Sequence, residues 1–120
     1  MDRKALSREY KERRRPMGVY RVLNRVNGKA LVGASLDLPA ILSRHRFQLE
    51  AGVHPNRSLQ ADWQAHGAES FEFAVLDALE PPDRPDYNPT EDLQALEQLW
   101  LEKLSPFDDH GYNPKPKKAR

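Results

Sequence analysis

Residues 17–35 read MGVYRVLNRVNGKALVGAS, and the reading of this stretch decides the fold. Val19, Val22 and Val26 suit one β-strand, and the apolar run Ala30, Leu31, Val32 suits a second. Between them stands Asn27-Gly28. That dipeptide is a strong hairpin signal, because a type I′ turn needs positive φ at both central residues. Gly18-Val19-Tyr20 opens the first strand, and Leu31-Val32-Gly33, followed by Ala34 and Ser35, lies in the second. By itself this is a tight antiparallel hairpin with glycine near its ends.

Working outward from the hairpin, Asp37 is placed to cap a helix from Leu38 to about Ala51, with Pro39 in its first turn and Gly52 as a stop. Leu38, Ile41, Leu42, His45 and Leu49 share one face of it, with Arg44 and Arg46 at the edges of that stripe. Arginines so placed often lay their stems along the core and keep their heads in water. Val53-His54-Pro55 reads as a loop. Asn56 then caps a short helix, Arg57 to His66, ended by Gly67, with Leu59, Trp63 and His66 expected on its inner face. His66 reads as a packed core residue rather than a ligand. Phe71 to Leu79 is expected to be a third strand, with Phe71, Phe73 and Val75 inward. The proline-rich 80–87 segment is an exposed connector within one domain.

The last helix has several start signals: Asn88 as cap, Pro89 in the first helical position and Glu91 placed for a capping box. It runs to about Leu104. Leu93, Leu96, Trp100 and Leu104 form a stripe, and Glu97 falls inside it. An ionised carboxylate on an apolar face is costly unless it is paired, hydrogen-bonded or bound to a cation. An ion pair with an arginine at the core's edge is the structural alternative to a metal. Gly111-Tyr112-Asn113-Pro114 is a turn, and the tail from Lys115 is basic.

The expected fold class is therefore α/β (α+β): a small three-stranded antiparallel sheet flanked by helices. Its 120 residues suit one domain. We divide the chain into a basic N-terminal helix or arm (1–16), the domain proper (17–114) and a basic tail (115–120). No apolar run approaches the length of a membrane span, and no secretory leader is visible. There are no cysteines, which excludes disulfides, thiolate metal sites and a cysteine nucleophile, and fits a cytoplasmic setting. The net charge is only +1, but it is segregated. Residues 1–15 carry seven Lys/Arg against three Asp/Glu, whereas 68–109 carry two against twelve. Such segregation can present a basic face to a polyanion, or it can be no more than solvated tails beside an acidic surface. Arg13, Arg14, Arg15, Arg46, Lys115, Lys117 and Lys118 are the candidate phosphate contacts.

The order of hairpin, two helices, third strand, helix with an inward Glu and terminal Tyr-Asn resembles the GIY-YIG nuclease superfamily over about 17–114. The resemblance rests on five features: the two triplets of the hairpin; Ser35-Leu36-Asp37-Leu38 leading into the first helix; Leu59-Gln60-Ala61-Asp62-Trp63 with His66-Gly67 before Phe71-Glu72-Phe73; Glu97-Gln98 before Leu99-Trp100-Leu101; and Asn113. Gly18, Gly33 and Asn113 would be structural positions of the motif. Tyr20 and Glu97 stand where the family places its functional residues, and His45 matches a position often held by His or Tyr near the reacting phosphate. Two positions depart: the second signature tyrosine is Leu31, and the usual arginine position falls on Ile41. Arg44 or His45, three and four residues further along the same helix, is the expected replacement.

The resemblance implies phosphodiester hydrolysis with Mg²⁺ or Mn²⁺ held by Glu97, since such ions take oxygen ligands and keep several waters. Tyr20 would orient or deprotonate the attacking water, although a phenol of pKa about 10 is a poor base at neutral pH. Arg44 or His45 would face the developing charge. The implied partner is nucleic acid, DNA ahead of RNA, and no membrane. Loss of the hydroxyl at Leu31 would cost activity; one such contact elsewhere is worth about 10²–10³ in rate. A module that kept the fold and lost catalysis is the alternative function. A protein-interaction domain using the acidic 68–109 surface is a third.

Overall fold

The computed structural model describes residues 15–115. The expected N-terminal helix or arm, with Arg13 and Arg14, and the tail with Lys117 and Lys118 lie outside the described residues. Three strands, β1 (Gly18–Asn24), β2 (Ala30–Ser35) and β3 (Phe71–Ala78), form an antiparallel sheet in the order β2-β1-β3. Among the described residues three α-helices accompany it: α1 (Leu38–Ala51), α2 (Arg57–His66) and α3 (Thr90–Leu104).

The pleat of β1 sorts the core into two layers. Val22 faces Leu49 of α1, Leu59 and Trp63 of α2, Phe71 and Tyr112, with Leu31 and Phe73 at its margin. Val19 joins Ala30 and Val32 on the other face, against Leu96, Trp100 and Leu101 of α3. A one-residue slip would exchange these two layers, which is why the register is firmly specified. Val19 pairs with Ala34, Tyr20 with Gly33 and Val22 with Leu31. Burial of a side chain such as Leu49 or Leu59 contributes about 1.5–3 kcal/mol.

Both helices after the hairpin begin and end where the capping chemistry predicts. The Asp37 side chain accepts from Ala40 N at 3.1 Å, and Gly52 closes α1 in the left-handed region. The Asn56 side chain accepts from Leu59 N at 3.1 Å. Ser35 Oγ accepts from Asp37 N at 3.0 Å, a short local bond that turns the chain from β2 into α1.

Several expectations are corrected. The hairpin connection is not a two-residue type I′ turn. It spans 25–29, and of Asn27 and Gly28 only the glycine has positive φ. Asparagine side chains hold this longer loop: Asn24 Oδ1 accepts from Val26 N and Asn27 Oδ1 from Lys29 N, both at 2.9 Å. Val26 is therefore an exposed loop residue. Val75 is 48% exposed rather than inward, and Leu76, on the opposite face of β3, packs on the α3 side. His66 is exposed at the end of α2. The buried polar residue of α2 is instead Gln60, whose amide accepts from His54 N and donates to Leu49 O. Helix α3 begins one residue late. Asn88 Oδ1 accepts from Thr90 N and Thr90 Oγ1, the capping residue is Pro89, and Glu91 closes no capping box. Leu104 is exposed rather than part of the inward stripe.

The C-terminal segment is more than a turn. Tyr112 N donates to Ala30 O at 2.9 Å, and both ends of the Asn113 side-chain amide bind the backbone of Val32. The open edge of β2 is thereby covered, which removes a template for unwanted strand pairing. Among the described residues, no helix is long and apolar enough to cross a membrane.

Candidate active site

Tyr20 points from the centre of β1 toward α1. Its Oη lies 2.9 Å from His45 Nε2, and the two ring centroids are 5.3 Å apart. His45 Nδ1 lies 2.8 Å from His54 Nε2, with the two imidazoles stacked at 5.1 Å. His54 is buried in the loop between α1 and α2. Its Nδ1 accepts from Asn56 N at 3.0 Å, and its own backbone N–H donates to Gln60 Oε1 at 3.0 Å. Sequence reasoning missed His54. The one visible signal was its place between a helix stop, Gly52, and a helix cap, Asn56.

Burial governs the ionisation of this cluster. It pushes the Tyr20 hydroxyl up to about 12, with the charge of Glu97 adding to the rise. His45 is pushed down to about 4, first by burial and then by His54 and the Arg44 guanidinium. Burial also lowers His54. At neutral pH Tyr20 is therefore protonated and His45 is uncharged.

Glu97 is half-buried on α3, where it borders a cavity with Ala34, Leu36 and Leu93 on one side and a 480 Å³ groove with Leu101, Phe107 and Asn113 on the other. Among the described residues no hydrogen bond or ion pair reaches its carboxylate. The arginine partner considered from sequence is absent there, and the charge is near enough to Tyr20 to raise its hydroxyl. Also among the described residues, no three His, Cys, Asp or Glu side chains converge as a metal cage. A hard cation that keeps most of its waters, and so asks for one carboxylate, is compatible with Glu97.

The other sequence candidates are less concentrated. Arg44 is exposed beside His45. Arg46 is drawn away, with its guanidinium 4.4 Å from the centre of the Phe73 ring. Arg15 makes a surface ion pair with Asp37 at 3.6 Å, and Lys115 one with Asp108 at 3.7 Å. Leu31 packs against the α1/α2 core layer, and Ile41 is half-buried in α1. Gly18, with φ of 154°, sits where a Cβ would strike Asp77 O at 2.0 Å.

Two solved structures share this fold at a TM-score of 0.66. The catalytic domain of the homing endonuclease I-TevI is 29% identical, covering 83% of this chain and 99% of that one. A mutant of the catalytic domain of intron endonuclease I-TevI is 26% identical, covering 82% of this chain and 92% of that one. Among curated proteins, Intron-associated endonuclease 1 of Enterobacteria phage T4 is 31% identical over 96 residues, 80% of this chain.

The fold is that of the GIY-YIG nucleases.

It spans 36% of the length of the phage relative. No protein-family model matches it. Its described residues have the three-stranded sheet and three helices of the GIY-YIG fold. At the two signature positions where polar side chains are expected, it carries Leu31 and Ile41.

Proposed function

We propose that this chain is a metal-dependent endonuclease of the cytoplasm, hydrolysing phosphodiester bonds in nucleic acid. The observation that carries this reading is Glu97, a half-buried carboxylate without a hydrogen bond or ion pair among the described residues, close to a buried tyrosine. A charge so placed is costly, and a bound cation offsets that cost. Glu97 would hold Mg²⁺ or Mn²⁺, which when bound supplies Lewis-acid polarisation of the scissile phosphate. Likeness to proteins described as an intron-associated endonuclease and a homing endonuclease supports the endonuclease reading; DNA is the proposed substrate ahead of RNA.

The remaining work falls to side chains of this chain. Tyr20, protonated at neutral pH, orients water or phosphate by hydrogen bonding rather than acting as a free base. His45, uncharged, fixes the Tyr20 hydroxyl. Arg44 beside it supplies a permanent positive charge for the phosphate. Arg15 and Lys115, with Arg13, Arg14, Lys117 and Lys118, add affinity that depends on salt rather than on base sequence.

Leu31 and Ile41 favour a second reading, a GIY-YIG-fold module that binds nucleic acid without cutting it. Single-stranded and duplex oligonucleotides, of DNA and of RNA, titrated with Mg²⁺, Mn²⁺ and chelator, separate the two. Metal-dependent cleavage supports the enzyme. Salt-sensitive binding with no cleavage at any metal concentration supports the module.

A further inference from the structure

Three hydrogen bonds run in series from the start of α2 to the sheet: Asn56 N–H to His54 Nδ1 at 3.0 Å, His54 Nε2 to His45 Nδ1 at 2.8 Å, and His45 Nε2 to Tyr20 Oη at 2.9 Å. A neutral imidazole has one donor nitrogen and one acceptor nitrogen. A backbone N–H can only donate, so His54 Nδ1 is bare and its proton sits on Nε2. That proton is given to His45 Nδ1, which is therefore bare in turn. The His45 proton sits on Nε2 and is given to Tyr20 Oη. The opposite order would need a proton on His54 Nδ1, facing the Asn56 N–H at 3.0 Å. Charging either ring creates a similar clash: His54 would carry a proton toward Asn56, and His45 one toward His54 Nε2–H.

We propose that the Asn56 backbone N–H fixes the tautomers of His54 and His45, so that Tyr20 accepts from His45 and its own hydroxyl proton is left to be donated away from that ring. His54 is then a positioning residue, acting on Tyr20 through His45. The Asn56 amide is itself held, since the Asn56 side chain caps α2 and donates to Tyr112 O at 2.7 Å. Gln60 holds the His54 backbone from the other side. The lowered proton affinity of both rings agrees with two neutral imidazoles. A hydroxyl proton directed away from His45 selects a group that only accepts, and a phosphodiester oxygen is such a group. This last step rests on the nuclease reading; the tautomers do not.

The test is made on the full chain without metal or nucleic acid. His66→Gln and His110→Gln remove the two exposed rings and leave His45 and His54 as the only histidines. Two-bond nitrogen–proton spectra of the labelled rings at neutral pH should show protonated Nε2 and bare Nδ1 in both. Tyr20→Phe should leave that pattern unchanged, because the order is imposed from Asn56. His54→Phe should free His45, faced then by Tyr20 and Arg44, to sample both tautomers and to titrate nearer the ordinary histidine value. A proton on Nδ1 of either ring in the parent, or a pattern that reverses in Tyr20→Phe, overturns the proposal. Should His54→Phe not fold, the other two spectra decide. A protein that cuts nothing can still give the expected spectra, so this result and the cleavage assay fail separately.

Discussion

The ring of Tyr20 lies directly against Gly33, its partner across the hairpin, so closely that a Cβ at position 33 would stand 2.5 Å from the Tyr20 Oη. The space above Gly33 is what lets the tyrosine lie flat and reach His45. Gly33→Ala must therefore displace the ring. Overpacking of this kind costs about 1–3 kcal/mol. Urea denaturation should show that loss, and the Tyr20–His45 contact should break, read as a change in the His45 ring resonances.

Asn113 acts as a short extra strand. Its Oδ1 accepts from Val32 N at 2.8 Å and its Nδ2 donates to Val32 O at 2.7 Å. Asn113→Ala removes both bonds and leaves two strand groups without partners. At about 1 kcal/mol per bond the expected loss is about 2 kcal/mol, and amide exchange at Val32 should accelerate. Unchanged exchange there would mean that the segment stays docked without Asn113.

Glu97→Gln is nearly isosteric and removes a charge that has no partner among the described residues. The variant should keep or gain thermal stability and lose metal-dependent cleavage. Since the Glu97 charge helps to raise the Tyr20 hydroxyl, a spectroscopic tyrosine titration should find that group moved back toward its ordinary value. A loss of about 3–5 kcal/mol would instead identify Glu97 as half of a structural ion pair.

Acid should act on the histidine pair before the carboxylates. His45 and His54 bind protons less readily in the folded chain than in the unfolded one, His45 moving from 6.5 to about 4. The unfolded state therefore takes up more protons in that window. Their contribution to stability is complete above about pH 6.5 and is lost as the pH falls toward about 4. The urea midpoint of the parent should fall over this range. A variant with Gln at both positions should fall less.

What the sequence determined by itself are the features whose causes lie within a few residues. Asp37, Asn56, Gly52 and Gly67 bound two helices because capping and left-handed stops act over three or four positions. Val19 and Val22 marked the central strand Gly18–Asn24 because β-branched side chains suit a pleated, half-buried surface. Glu97 was legible as anomalous because a charge in an apolar stripe is costly in any fold. The tertiary structure alone decided how the ends of the chain meet. No local rule joins Asn113 to Val32 across 81 residues, or Tyr20 to His45 across 25. The connection of the hairpin was lengthened by Asn24, whose amide also donates to the distant Tyr112 Oη at 3.1 Å. His54 remained hidden because its chemistry comes from what surrounds it. A histidine in a loop is unremarkable until burial, a backbone N–H at its Nδ1 and a second imidazole at its Nε2 leave it one state to occupy.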